Sequence, residues 1–181
     1  MRFPLPPREQ WSPEQERVAQ EIVSGPRGEL RGPFRTLIHS PELASRVQKL
    51  GEYLRFESSF TAPLTEIAVL MTARHYDCPN VWQSHGELAR KAGVPPTISA
   101  ALAARRRPPD MSEDESAIFA FCDELLRHGH VGDAAFDDVA ARWGLRGAAD
   151  LIVLVGYYGM LCRVYNVSQV PLPEGATPFA P

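Results

Sequence analysis

Residues 62–93, APLTEIAVLMTARHYDCPNVWQSHGELARKAG, contain two helical patterns separated by a sharp break. In the first pattern, apolar residues recur every three or four positions, at Leu64, Ile67, Leu70 and Met71. This spacing places them on one face of a helix. It predicts an amphipathic helix from Pro63 to about Tyr76.

The second pattern begins at Cys78-Pro79. Proline is favoured at the first position of a helix, so Cys78 is predicted to be the N-cap of a helix that starts at Pro79. Glycine commonly follows the last turn of a helix, and Gly93 predicts an end near Lys91. The stretch therefore predicts two consecutive helices joined by a tight turn.

Similar start signals recur along the chain, at Ser12-Pro13-Glu14, Ser40-Pro41-Glu42 and the capping-box pattern Ser112 to Glu115. The further predicted helices run from residue 13 to about 23, 41 to about 58, 95 or 96 to 107, 113 to about 126, 133 to 144, and 147 to about 165. Residues 24–35, rich in glycine and proline, are predicted to form a loop. The fold class is therefore predicted to be all-α, a bundle of about seven to eight helices.

The last predicted helix, residues 147–165, is apolar on nearly all sides. Such a helix lies either at the centre of a bundle or in a subunit interface. Gly156 and Gly159 would let a neighbouring helix approach closely. Its longest apolar run, Leu151 to Cys162, is too short to cross a bilayer core of about 30 Å.

The length of 181 residues fits a single domain, residues 1–181, with an extended arm at 1–11 and a proline-rich tail at 168–181. The net charge of only −3 argues against nucleic acid or a membrane as a partner. The N-terminal stretch has no apolar run typical of a signal peptide, so we expect a cytoplasmic protein. The preference for arginine over lysine and the abundance of alanine are typical of a GC-rich bacterial genome.

Three residue types that support proton or thiol chemistry lie in the first stretch: Glu66, Cys78 and His85. A cysteine that caps a helix meets the positive end of the helix dipole and free N–H groups, which favour the thiolate. His85 lies on the helix that Cys78 caps and can exchange a proton near neutral pH. Whether Glu66 reaches either residue depends on packing that periodicity does not reveal.

These residues carry a resemblance to a known family. Glutamate, eleven residues, cysteine, two residues, cysteine, three residues, histidine is the signature of the alkylhydroperoxidase D branch of the carboxymuconolactone decarboxylase superfamily. Glu66, Cys78 and His85 stand at the matching offsets, but Val81 occupies the place of the second cysteine. Segments such as RGPFRTLIHSPELA and VWQSHGELARKAGV also resemble the wider family, over nearly the whole chain from about residue 28.

The resemblance implies an all-helical, cofactor-free enzyme that forms a homo-oligomer (dimer, trimer or hexamer), with Cys78, His85 and Glu66 as catalytic residues. Two reactions follow from the two branches of the family. One is decarboxylation or isomerisation of a carboxylated lactone or similar carbon acid. The other is a peroxiredoxin-type thiol peroxidase reaction at Cys78, with the sulfenic acid resolved by an external thiol. A non-catalytic, ligand-binding oligomer is the third hypothesis.

The peroxidase cycle cannot close within the motif, because Val81 has no thiol. Cys122 and Cys162 are alternative resolving thiols, but both lie in apolar helical segments and are interpreted as core residues. Arginine binds both oxygens of a carboxylate, which makes Arg35 and Arg74 candidates for substrate binding. The remaining candidates for substrate binding are Trp82 and Tyr157. No pair of residues stands at a spacing typical of metal ligands, and no metal is expected.

Overall fold

The computed structural model describes residues 1–26 and 28–179. Within these residues all regular elements are helical and there is no strand, which confirms the predicted all-α class. The helices are α1 (Pro13–Ser24), α2 (Phe34–Leu37), α3 (Pro41–Phe56), α4 (Ala62–His75), α5 (Pro79–Ala92), α6 (Pro96–Ala103), α7 (Glu113–His128) and α8 (Asp133–Ser168). A short 3₁₀ helix, Arg8–Gln10, interrupts the arm that was predicted to be extended.

Two of the three serine start signals form side-chain caps in the structure, whereas Ser40 precedes α3 without a side-chain cap hydrogen bond. Ser12 and Gln15 make a reciprocal capping box at α1, and Ser112 and Glu115 make one at α7. Each box satisfies two backbone N–H groups that have no partner within the helix. Gly93 ends α5 with a φ of 89°, a left-handed conformation that glycine adopts without steric cost. Local sequence therefore determines these helix ends.

Some boundaries differ from the prediction. The loop predicted over 24–35 is shorter in the structure, because α2 already begins at Phe34, and α6 ends at Ala103, before the arginines that were expected to complete it. The break predicted between residues 133–144 and 147–165 is present: α8 contains two helical stretches separated by a kink at Gly144. Gly144 has a φ of 70°, which a side chain would disfavour, so glycine permits the break there.

The chain forms two compact units. The first unit comprises Met1–Glu57 and Val164–Pro171, and the second comprises Ser58–Arg163 and the described part of Leu172–Pro181. A single domain stays a prediction.

Helices α1, α2 and α3 belong to the first unit, where α3 packs against the other two. A polar cluster links α1 to α3, since Glu21 accepts hydrogen bonds from the buried side chains of Ser45 and Gln48. Burial on its own raises the pKa of Glu21. The hydrogen bonds from Gln48 and Ser45, together with the charge of Lys49, outweigh it and hold that pKa below its ordinary value.

In the second unit, α4 packs against α5, α6 and α7. Every residue of α4 from Leu64 to Ala73 is buried, so α4 is the central helix of this unit. The sequence had suggested such a position for the last helix. In α8, Leu151 and Leu154 are buried, but Ile152 and Val153 are exposed, so one of its faces is not covered by the part of the chain that the structure describes.

By length and composition, α8 is the one described helix that would be able to cross a membrane. This is weak evidence, because 61% of its most apolar window is buried inside the protein, as in the core helix of a soluble protein.

Candidate active site: a buried Glu–His pair beside two thiols

The turn between α4 and α5 sets the position of the site. Asp77 has a φ of 45°, a left-handed conformation that aspartate tolerates better than most residues. Its carboxylate is held by Arg74 and by Arg105, whose Nη2 donates to Asp77 Oδ2 over 2.8 Å. The N–H of Cys78 then donates to the carbonyl of Ala73 over 2.9 Å, which closes the end of α4. The chain reverses here, and α5 packs along α4.

This packing brings together Glu66 of α4 and His85 of α5. Glu66 Oε2 lies 2.7 Å from His85 Nδ1, and the two side chains are only 9% and 12% exposed. A carboxylate accepts hydrogen bonds but cannot donate them, so the donor in this pair is assigned to the Nδ1–H of His85, and Nε2 is the ring nitrogen that does not face Glu66. No described residue hydrogen-bonds Nε2. Glu66 therefore orients His85 with one nitrogen left for proton transfer.

Two aromatic residues of α8 form a wall beside the histidine. The ring of Tyr158 meets that of His85 edge to face, with centroids 4.8 Å apart. Tyr157 packs against Tyr158 in the same manner at 5.3 Å, and both tyrosines are buried. This apolar wall lowers the local dielectric, which strengthens the interaction between Glu66 and His85.

Cys78 precedes α5 as its N-cap, as predicted, and is fully buried. A hydrogen bond from Cys162 lowers the pKa of the Cys78 thiol; burial opposes this shift, and the backbone N–H groups of Val81 and Asn80 support it. These N–H groups face the sulfur without forming a cap hydrogen bond. A lowered thiol pKa is expected for a cysteine that lies at a helix N-terminus and has a hydrogen-bond donor nearby.

Cys162 of α8, which the sequence analysis interpreted as a core residue, is the second thiol that acts on Cys78. Its burial confirms the interpretation as a core residue, but its thiol hydrogen-bonds that of Cys78. Donating this bond raises the pKa of Cys162, and burial raises it further. The available signal was the spacing of Tyr158 and Cys162, which are four residues apart and so share a face of α8.

The segments that carry Cys78 and Cys162 are also in contact through Tyr76, which meets Arg163 and Gly159 of α8. Arg163 stacks on the ring of Tyr76, with 4.2 Å from Cζ to the ring centroid, and its Nη2 donates to Tyr76 Oη over 3.2 Å. Gly159 faces the same ring so closely that a Cβ atom there would lie 2.9 Å from Tyr76 Cε2. Tyr76 is two residues before Cys78, so these contacts position the two thiols independently of the sulfur atoms.

Trp82 is buried and packs edge to face on Phe179 of the tail, with ring centroids 5.9 Å apart. The guanidinium of Arg74 lies 4.5 Å from the centroid of the same Phe179 ring. Part of the proline-rich tail therefore covers the second unit near α4 and α5. The predicted role of Trp82 in substrate binding stays a prediction.

The two predicted carboxylate-binding arginines are in different units. Arg35 is exposed on α2 of the first unit. Arg74 Nε donates to the carbonyl of Ala103 over 2.8 Å, and its guanidinium pairs with Asp77. Arg74 also lines a cavity of about 430 Å³ together with Arg105–Arg107 and Arg127. The described residues that line this cavity do not include Glu66, Cys78 or His85.

Within residues 1–26 and 28–179, no group of three or more His, Cys, Asp or Glu side chains is arranged to hold a metal ion. Neither a scan against protein-family models nor a search of curated proteins finds a match to this chain. The site of this all-helical protein is an imidazole that a buried carboxylate orients, and the functional interpretation rests on this geometry.

Proposed function

We propose that this protein is a small-molecule enzyme that catalyses proton transfer, with His85 as the acid or base and Glu66 as the group that orients it. The observation that carries the proposal is the 2.7 Å hydrogen bond between the buried carboxylate of Glu66 and the partly buried imidazole of His85. A histidine positioned by a carboxylate is a recurrent arrangement for general acid–base catalysis, because one ring nitrogen is held while the other exchanges the proton.

The proposed reaction is decarboxylation or isomerisation of a carboxylated lactone or a similar carbon acid. Such a reaction requires a base next to a C–H or carboxyl group and a site with little water. The partial exposure of His85 and the buried rings of Tyr157 and Tyr158 support this kind of site. The all-helical fold and the meeting of Glu66 with His85 also support membership of the carboxymuconolactone decarboxylase superfamily.

A homo-oligomer is part of the proposal. The exposed apolar side chains of Ile152 and Val153 on α8 support it, since apolar patches on a soluble protein often mark interfaces.

The test is a screen of carboxylated lactones and related carbon acids in deuterated water. NMR follows the exchange of C–H protons, and a gas assay follows the release of carbon dioxide. For an active substrate, Glu66→Gln and His85→Ala are expected to lower the rate about 10²- to 10⁴-fold, the usual contribution of general acid–base catalysis. Glu87→Gln is the matched control, because Glu87 lies on α5 two residues after His85, has its side chain 60% exposed and pairs with Lys91.

Circular dichroism establishes that each variant is folded. Folded Glu66→Gln and His85→Ala proteins with wild-type turnover would overturn the proposal. Binding of a screened compound without any turnover would favour the non-catalytic, ligand-binding alternative.

A further inference from the structure

The cavity of about 430 Å³ in the second unit has neither Glu66 nor His85 in its lining. Its volume is within the range of about 300–1,000 Å³ that is typical of small-molecule sites. The described residues that line it include one carboxylate, that of Asp123. They also include five arginines: Arg74, Arg105, Arg106, Arg107 and Arg127.

Three of these arginines are held in place by carboxylates. Arg74 and Arg105 both pair with Asp77, and Arg105 Nη2 also donates to the carbonyl of Arg74 over 3.1 Å. Asp77 and Arg105 have φ values of 45° and 55°, in the left-handed region that is unfavourable for residues other than glycine. Their ion pair stabilises both conformations. Arg127 pairs with Asp123 on the same helix, α7.

The other two arginines have no carboxylate partner among the described residues. Arg107 donates to Ser116 Oγ over 2.7 Å, and its guanidinium lies 5.1 Å from the centroid of the Phe119 ring. The guanidinium of Arg106 forms no hydrogen bond or ion pair within the part of the chain that the structure describes. Both arginines are exposed, so a ligand that enters from solvent can reach them.

Helix ends balance part of this positive charge, but not all of it. α4, α6 and α7 end at His75, Ala103 and His128, each within two residues of a cavity arginine. The C-terminus of a helix is equivalent to about half a negative charge. Three such ends, together with Asp77 and Asp123, balance about three and a half of the five arginine charges. An excess of about one and a half positive charges is left for a ligand.

The rest of the lining includes apolar side chains. Met71, Leu102 and Phe119 are buried, and Leu126 is half-buried. A ligand that fills the cavity therefore needs an apolar part as well as negative charge.

We propose that this cavity binds a small molecule in which a doubly charged oxyanion group, either a phosphate monoester or a pair of carboxylates, is attached to an apolar body. The planar guanidinium of arginine donates two parallel hydrogen bonds to either kind of oxyanion. The apolar side chains cover the body of the ligand. This inference does not depend on the proposed proton-transfer function.

The experiment measures binding to the native chain by calorimetry and NMR. The probes are phenyl phosphate and benzylmalonate, which carry the two kinds of oxyanion on an aromatic body. Inorganic phosphate, malonate and phenol are the controls for the separate parts. His75 lines the cavity and His85 does not, so their imidazole resonances, assigned with His75→Gln and His85→Gln, show where a probe binds.

The expected result is that a probe binds with a Kd below about 1 mM, shifts the His75 resonances and leaves those of His85 unchanged. The tighter of the two probes identifies the kind of oxyanion. The separate parts are expected to bind at least about tenfold more weakly than that probe, because each lacks either the charge or the apolar body.

Two variants test the role of the arginines. Arg106→Gln is expected to weaken binding at least about tenfold, because it removes a charge-assisted hydrogen bond to the ligand. Arg90→Gln is the matched control, since Arg90 is exposed in the last turn of α5 and does not line the cavity. It removes the same charge, and its effect is expected to stay below about twofold because solvent ions screen it.

The proposal is overturned if neither probe binds, if binding leaves the His75 resonances unchanged, or if Arg106→Gln and Arg90→Gln weaken it equally. Equal affinity for phenyl phosphate, benzylmalonate and their separate parts would overturn it as well. The wild-type spectra test the site even if a variant does not fold.

Discussion

The close approach of Gly159 to Tyr76 predicts opposite outcomes for two identical substitutions in α8. Gly156 and Gly159 are three residues apart in the same helix, and replacing either with alanine gains about 1 kcal/mol of helix propensity. A Cβ atom at Gly156 would meet no atom within 4 Å, so Gly156→Ala is expected to stabilise the protein by about this amount.

At Gly159 the added Cβ would lie 2.9 Å from Tyr76 Cε2 and 3.5 Å from Tyr76 Cζ. The ring has little room to move, because Arg163 stacks on it and His75 packs on it edge to face at 4.7 Å. Overpacking of this kind costs about 1–3 kcal/mol. Gly159→Ala is therefore expected to be less stable than Gly156→Ala by about 1–3 kcal/mol, because the gain in propensity is common to both.

The assay is chemical denaturation of the two variants and the wild type, followed by far-UV circular dichroism. Thermal denaturation should show the same order, since about 1 kcal/mol corresponds to about 2–4 °C in Tm for a chain of this size. In a Tyr76→Ala background the clash is absent, and Gly159→Ala should then stabilise the protein as Gly156→Ala does. Equal stabilisation by both substitutions in the wild-type background would refute the reasoning and the position of α8 beside Tyr76.

Two further predictions concern buried polar contacts. Because the pKa of Glu21 is lowered in the folded protein, its carboxylate stabilises the folded state at pH values above its ordinary pKa of about 4.3. This stabilisation is lost as the pH falls through the lowered pKa of the folded state. The free energy of unfolding, measured at decreasing pH, should show this loss in the wild type and a weaker loss in Glu21→Gln. The same pH dependence in both proteins would contradict the prediction. Asp150 Oδ2 accepts from the backbone N and the Oγ of Ser59 at 2.9 and 2.8 Å, so Asp150→Ala should cost about 1–3 kcal/mol in urea denaturation. Asp150→Asn, which keeps an acceptor, should lose less, and equal losses would show that these hydrogen bonds are not the cause.

Local signals in the sequence were sufficient to predict much of the helical architecture. Ser12, Ser112, Pro79 and Gly93 act through hydrogen bonds and dihedral preferences that extend over only one helical turn. They therefore act the same way in any fold. The kink at Gly144 follows from the glycine itself, because its φ of 70° disfavours a side chain. The arginines that hold the turn at Asp77 come from two different segments, and no local pattern predicts that they meet there.

The sequence by itself placed Glu66, Cys78 and His85 near one turn and specified their chemistry. Only the tertiary structure decided which of them meet: the packing of α5 on α4 joins Glu66 to His85, and α8 brings Cys162 to Cys78. Periodicity determines the face of a helix on which a residue lies, but not which helix packs against that face. Cys162 lies 84 positions after Cys78, so the contact between the two thiols depends on long-range packing that no local pattern encodes.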